Sequence, residues 1–252
     1  MAFKFFMKRK VAGNNIEQPK QNKQVKKFFE PKKKIDKPII KATDQKPVYA
    51  FIDASNLFWG GRESMGFGID YKKFKEHLEK SYNVAKVFYY GGLRIFDFEY
   101  SVLDYEKIDF EKLTEHLKTL QANSNEADKE AIEKSLNKIN FYQILESYGY
   151  IMKIKPAKVF HDDDDENGEK TVLKANCDVD MTFDMMRYMQ QYSGIICMTG
   201  DGDFAAVLNY LNHHDRPVTI FSRNRRTAKE IREIAGDNFI DFENLRPIIE
   251  YR

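Results

Sequence analysis

The sequence predicts an α/β domain built on a mainly parallel sheet covered on both faces. Runs such as Val48-Tyr49-Ala50-Phe51-Ile52 and Gly194–Thr199 are apolar without alternation, as strands buried on both sides are. Segments with apolar residues at helical spacing separate such runs, so strands and helices alternate along the chain. In sheets of this kind, function gathers outside the carboxyl ends of the strands, at the switch point.

The folded body is expected to start near Pro47, with a first strand over 48–52 ending at Asp53 and a turn-like Ala-Ser-Asn after it. Tyr71–Lys80 reads as a helix with Phe74 and Leu78 on one face. Val84–Tyr90 reads as a second strand, ended by Gly91-Gly92. Residues 97–147 are rich in Lys and Glu and place Leu113, Leu117, Leu120, Ile132, Leu136, Ile139 and Leu145 at helical spacings, which predicts a helical insertion of two or three helices. Tyr150–Lys155 returns as a strand. Lys158–Phe160 and Thr171–Leu173 are expected to be the arms of a hairpin whose tip is the acidic turn His161–Lys170. A helix over Asp178–Gln191 carries a stripe of Met181, Met185, Tyr188 and Met189, a pattern of core packing. The strand Gly194–Thr199, a helix over Phe204–Asn212, the strand Pro217–Phe221, a helix over Thr227–Ala235 and a short strand at Asn238–Asp241 complete the order.

Charge divides the chain. Residues 1–46 carry 14 Lys and Arg against 4 Asp and Glu, and the remainder carries 27 against 35. With Pro19, Pro31, Pro38 and little periodicity, 1–46 reads as a disordered basic arm suited to a polyanion. The acidic body argues against a broad basic groove but suits a small site in which bound cations supply positive charge. No apolar run approaches the roughly 18–20 residues that span a bilayer, and Met1–Lys10 is too short and too Lys-interrupted for a signal-peptide core. The expectation is a soluble cytoplasmic protein without membrane contact. Cys177 and Cys197 make neither a metal-ligand spacing nor a disulfide framework and read as small buried residues.

The chemistry is expected at four acids. Asp53 follows the first strand, and Asp201 and Asp203 follow the strand Gly194–Thr199 in the turn Thr199-Gly200-Asp201-Gly202-Asp203-Phe204, where Gly200 and Gly202 let the chain bend tightly. These carboxylates fall on one edge of the sheet. Asp178, at the start of a helix one connection away, can reach the same crevice. Four carboxylates so placed repel one another unless cations lie between them, and hard oxygen donors suit Mg²⁺ or Mn²⁺. Two such ions can clamp a phosphodiester and activate a water.

Three motifs carry a resemblance. Phe51-Ile52-Asp53-Ala54-Ser55-Asn56-Leu57 is similar to the opening motif of NYN domains, a branch of the PIN-like nucleases that includes the LabA-like proteins. Lys174-Ala175-Asn176-Cys177-Asp178-Val179-Asp180, followed by Asp184, is similar to their second motif, and Met198-Thr199-Gly200-Asp201-Gly202-Asp203-Phe204 resembles their third. The resemblance covers about 47–245. It implies a three-layer α/β/α, PIN-like and Rossmann-like fold and Mg²⁺- or Mn²⁺-dependent cleavage of RNA. By the same resemblance Asp53, Asp178, Asp201 and Asp203 are the metal-binding, catalytic acids, and Asn56, Asp184 and Thr199 are the residues behind them. Asp180 reads as solvent-facing or as a helix cap. The insertion at 97–147 exceeds a minimal domain of this type and is a candidate place to restrict the substrate or bind a protein partner. The basic arm has no counterpart in the motifs.

Arg223, Arg225 and Arg226 follow the strand Pro217–Phe221 and, with Lys174, are candidates to grip RNA phosphates. Trp59 offers a face on which a base can stack but also suits closing the core under its loop. His213 and His214 end a helix and suit its carboxyl-terminal dipole. Asp162–Asp165 has no ligand spacing and reads as a solvated turn. Three rival readings stand beside the ribonuclease: a non-catalytic RNA-binding or scaffold protein on the same fold, a structure-specific DNA nuclease, and a phosphatase of the haloacid dehalogenase type. The last needs a second Asp two residues after the first, where Ser55 stands.

Overall fold

The computed structural model describes residues 46–55, 67–101, 107–162 and 170–251, with only the backbone of 159–162 and 170–174. The basic arm before Lys46, Asn56, Trp59 and Asp163–Asp165 lie outside the described residues.

A six-stranded parallel sheet organises the chain. Its strands are β1 (Val48–Asp53), β2 (Val84–Leu93), β3 (Ile151–Pro156), β6 (Gly194–Met198), β7 (Val218–Ser222) and β8 (Phe239–Asp241), in the order β3-β2-β1-β6-β7-β8. The order runs outward from β1 in both directions, so the switch point lies between β1 and β6. The register sets Ile52 opposite Met198 and Asp53 opposite Tyr90. A separate antiparallel hairpin, β4 (Lys158–Asp162) with β5 (Lys170–Lys174), projects between β3 and the next helix.

Alternation along β1 makes the two cores. Val48, Ala50 and Ile52 face one side, and Tyr49 and Phe51 the other. The first side is covered by α1 (Tyr71–Tyr82), α2 (Phe110–Ala122), α3 (Glu126–Ser147) and the short α7 (Arg246–Ile249), through Phe74, Leu78, Leu113, Leu117, Ile139 and Ile249. The second is covered by α4 (Asp178–Arg187), α5 (Ala205–His213) and α6 (Lys229–Ala235), through Met181, Met185, Leu208, Leu211 and Ile231. The result is the three-layer α/β/α arrangement expected. Among the described residues no helix is long and apolar enough to cross a membrane.

Among the described residues of 97–147 the chain forms two helices, because it caps itself twice. Asp109 accepts from the amides of Glu111 and Lys112, and Asn125 from that of Asp128. Both helices are built into the first core rather than appended to it, and the Tyr142 hydroxyl donates to Gly92 O at 2.8 Å.

One strand end departs from expectation. Gly91 and Gly92 do not stop β2, which pairs with β3 as far as Leu93–Pro156. They are needed because neighbours crowd them: an added Cβ would lie 2.7 Å from the Tyr142 hydroxyl at Gly91 and 2.2 Å from Ala175 Cβ at Gly92. Ala175 belongs to the segment that crosses β2 and delivers Asp178. Gly92→Ala is therefore expected to destabilise the fold by about 1–3 kcal/mol, as overpacking does, and to displace Asp178. Urea unfolding and metal titration of the variant check both effects; unchanged metal affinity would uncouple this crossing from the site.

Candidate metal centre at the carboxyl edge of the sheet

β1 delivers Asp53 to the crevice, buried at 7 % exposure. One of its oxygens accepts from the amide and hydroxyl of Ser55 at 2.9 and 2.6 Å, and the other faces the Thr199 hydroxyl at 3.4 Å. Thr199, wholly buried after β6, also accepts the Asp201 amide at 3.2 Å, so one hydroxyl ties two acids from different strands. Asp201 in turn caps the short 3₁₀ turn Gly202–Phe204 by accepting the Asp203 amide at 3.0 Å. Ser55, which counted against a phosphatase, thus has a positive task in orienting Asp53. Its place two residues after a buried Asp was the signal available in the sequence.

Gly200 and Gly202 owe their place to close approach rather than to an unusual turn conformation, since neither has a positive φ. A Cβ on Gly200 would meet Arg226 O and Ser222 Oγ, both at 2.9 Å, and one on Gly202 would meet Ala228 Cβ at 3.3 Å. The Ala228 amide donates to Gly200 O at 2.8 Å. The loop after β7 is thereby packed directly on the acidic turn.

Asp178 opens α4, its amide donating to the Asn176 side chain at 3.0 Å. Each of Asp178, Asp201 and Asp203 offers one carboxylate oxygen, and these lie within 4.8 Å of one another. Burial, then the charges of Asp53, Asp201 and Asp203, raise the Asp178 pKa above its ordinary 3.8. Asp53 thus stands beside the trio electrostatically. Oxygens so spaced, all from hard carboxylate donors, fit a divalent cation bound at about 2.0–2.6 Å from each.

A stability test follows from the raised pKa. A carboxyl whose folded pKa lies above its unfolded value contributes stability below about pH 4, and loses it as pH rises through the folded pKa. A divalent cation needs the ionised form, so it offsets this loss at neutral pH and competes with protons in acid. Mn²⁺ at a hundred times its Kd is expected to stabilise the protein by about 2.7 kcal/mol near pH 7.5 and negligibly near pH 4. Thermal melts with and without Mn²⁺ check this; an equal gain at both pH values would place the ion away from the acids.

Asp184 lies further along α4, at 4 % exposure. It accepts from the Tyr90 hydroxyl at 2.9 Å and pairs with Lys153 at 3.2 Å and Arg187 at 3.0 Å. These partners join α4 to β2 and β3, so any effect of Asp184 on the trio passes through the position of the helix. Burial and the Asp184 charge push the Tyr90 phenol far up. Asp180 pairs with Lys155 at 2.7 Å.

Arg223 reaches Glu243 at 3.3 Å, while Arg225 and Arg226 are exposed on the 3₁₀ turn Asn224–Arg226. Lys174 ends β5 opposite Lys158, its side chain outside the described residues. His213 and His214 turn Nδ1 to the carbonyls of Asn209 and Tyr210, at 2.8 and 2.7 Å, within the last turns of α5. Both cysteines are buried and unpaired, and burial first, then the Asp180 charge, pushes the Cys177 thiol up to about 12.

Comparison with known proteins agrees with the motifs. The low amplitude and bright protein LabA of Synechococcus elongatus is 34 % identical over 110 residues, which is 44 % of this chain and 58 % of LabA. This chain therefore spans under two thirds of that relative. A protein of unknown function from Vibrio parahaemolyticus shares the fold at a TM-score of 0.51 and 17 % identity, over 80 % of this chain and 96 % of that one. T5 5′-exonuclease with bound zinc is more distant, with a TM-score of 0.39 and 14 % identity over 73 % of this chain and 59 % of its own, a likeness too slight to argue from. The profile of the NYN domain matches residues 47–245. The chain belongs to the NYN domain family.

Proposed function

We propose that this protein is a divalent-metal-dependent endoribonuclease. The observation that carries the reading is the convergence of Asp178, Asp201 and Asp203 to within 4.8 Å, with Asp53 beside them, at the switch point of an NYN domain. Asp53, Asp178, Asp201 and Asp203 would hold Mg²⁺ or Mn²⁺. The bound cation would polarise a phosphodiester oxygen and make a water nucleophilic near neutral pH. The chain's own residues hold and orient. Ser55 and Thr199 fix the Asp53 carboxylate, Thr199 couples it to Asp201, and Asn176 fixes the start of α4. Arg225 and Arg226, on a loop packed against Gly200, stand where they can take the phosphates flanking the cleaved bond. No side chain need act as nucleophile.

The test is cleavage of a labelled single-stranded RNA, circular and linear, by the full chain with Mn²⁺, Mg²⁺ or EDTA, beside the same sequence as DNA. Cutting of the circle with metal, its loss in EDTA and a preference for RNA are expected. Preferential cutting of DNA would favour a DNA nuclease. RNA binding without cutting under any metal would leave a scaffold on the same fold.

A further inference from the structure

A cavity lies beyond the end of β2, on the edge that carries the acids. Of about 410 Å³, it is lined by Arg94, Phe96 and Asp97 from the loop after β2, by Ser124 and Asp128 from the α2–α3 junction, and by apolar wall residues including Ile132. Leu93 lies three residues past Tyr90, the register partner of Asp53, so Arg94 stands about 13 Å along the strand direction from the level of Asp53.

The loop is built in an uncommon way. Phe96 has φ of +54°, and the other non-glycine residues of positive φ among those described are Asn83 and Asp215, whose types tolerate it. An aromatic residue so held is kept there by its surroundings, and such positions cluster at binding sites. The Arg94 guanidinium lies over the Phe96 ring, 4.2 Å from its centroid, and makes no ion pair among the described residues. By contrast, Lys153, Lys155 and Arg187 beside α4 are each paired with a carboxylate. Arg94 is therefore a pre-positioned guanidinium fork, without an ion pair among the described residues, at the edge of a cavity.

We infer that this cavity receives one nucleotide of the RNA strand, with Arg94 on its phosphate and the nucleoside turned toward Ser124 and Asp128. This rests on the nuclease reading and names how the substrate is held. The volume suits one nucleotide-sized ligand. Ser124 and Asp128, from the α2–α3 junction, can accept from ribose hydroxyl and base amino groups, while Arg94, on the facing loop that also carries Asp97, fits phosphate bidentately. The two walls thus differ in a way that a ribonucleotide can use, and the 2′-hydroxyl gives the cavity a means of telling RNA from DNA. The insertion supplies Ser124 and Asp128, which gives it a part in substrate choice.

The test measures binding of a short labelled single-stranded RNA and its DNA counterpart to the full chain in EDTA across a salt series, and cleavage in Mn²⁺, for wild type, Arg94→Ala and Arg94→Lys. Arg94→Ala is expected to weaken RNA binding about tenfold and to reduce the salt slope by about one phosphate contact, and Arg94→Lys to restore the slope but only part of the affinity. Lysine keeps the charge, so retained slope with a shared melting temperature separates the contact from misfolding. If wild type cuts RNA and Arg94→Ala binds it unchanged, the subsite is wrong and the nuclease reading stands. If wild type binds without cutting and Arg94→Ala weakens binding, the subsite stands and the nuclease reading falls. Equal affinity for DNA with equal loss in Arg94→Ala would overturn the ribonucleotide assignment, and neither binding in EDTA nor cleavage in Mn²⁺ by wild type would overturn both.

Discussion

Replacing Asp178 by Asn is expected to lower metal-dependent RNA cleavage about 10³-fold while making the metal-free protein more stable. Both effects come from one arrangement. Asp178 is ringed by the charges of Asp53, Asp201 and Asp203, and burial and these charges raise its pKa, so its ionised form is unfavourable in the metal-free fold. Asn has nearly the same shape and carries no charge, so it relieves that repulsion. The same change turns one of the three carboxylate donors that lie within 4.8 Å of one another into a neutral, weaker amide donor. Loss of a residue that merely supports a metal ligand costs roughly 10–100-fold, and loss of a ligand costs more. Asp180→Asn is the control: that carboxylate sits two residues on, pairs with Lys155, and is expected to keep near-normal activity. Cleavage rates under saturating Mn²⁺, with thermal melts in EDTA, read both halves. A variant with lost activity and lowered melting temperature would point to a structural task for Asp178 rather than a charge held for metal.

Much of this arrangement could be read from the sequence, because it depends on local patterns. The unbroken apolar runs at 48–52 and 194–198 announce buried parallel strands, and a polar residue directly after such a run must sit at the carboxyl edge. The helix spacing in 110–147 is equally local, whereas the caps Asp109 and Asn125 that divide it were not read. What escaped was contact between distant segments. Gly91-Gly92 reads as a strand terminator when neighbours in sequence alone are considered. In the fold it is a pair of positions where Tyr142 and Ala175 press too close for a side chain. Gly200 is similar, taken for a bend when it is a seat for the loop after β7. The helix begun at Asp178 was expected to reach Gln191 but ends at Arg187, since a Met and Tyr stripe records burial and not where backbone bonding stops. The four-residue α7 is too short to give a periodic signal. The role of Ser55 was legible in its place two residues after Asp53, but that place was read only as a mismatch to a phosphatase.

Asp184→Ala is expected to destabilise the fold by about 1–3 kcal/mol, chiefly the cost of leaving the buried Tyr90 hydroxyl without its acceptor, since Lys153 and Arg187, 33 % and 42 % exposed, can be rehydrated. At roughly 2–4 °C per kcal/mol for a domain of this size, the melting temperature should fall by about 2–12 °C. The loss falls on several groups at once: the Tyr90 hydroxyl loses its acceptor, and Lys153 and Arg187 lose the carboxylate that neutralises them. Asp184→Asn separates these contributions. An amide oxygen can still accept from Tyr90 but cannot balance two cations, so an intermediate loss assigns the remainder to charge. Because these bonds tie α4 to β2 and β3, and α4 begins at Asp178, both variants are also expected to weaken Mn²⁺ binding in the order Ala then Asn. Calorimetric titration of the folded variants at low temperature reads that order. Metal affinity unchanged in a destabilised Asp184→Ala protein would show that the crossing at Gly92 fixes Asp178 by itself, and that the buried carboxylate serves the fold alone.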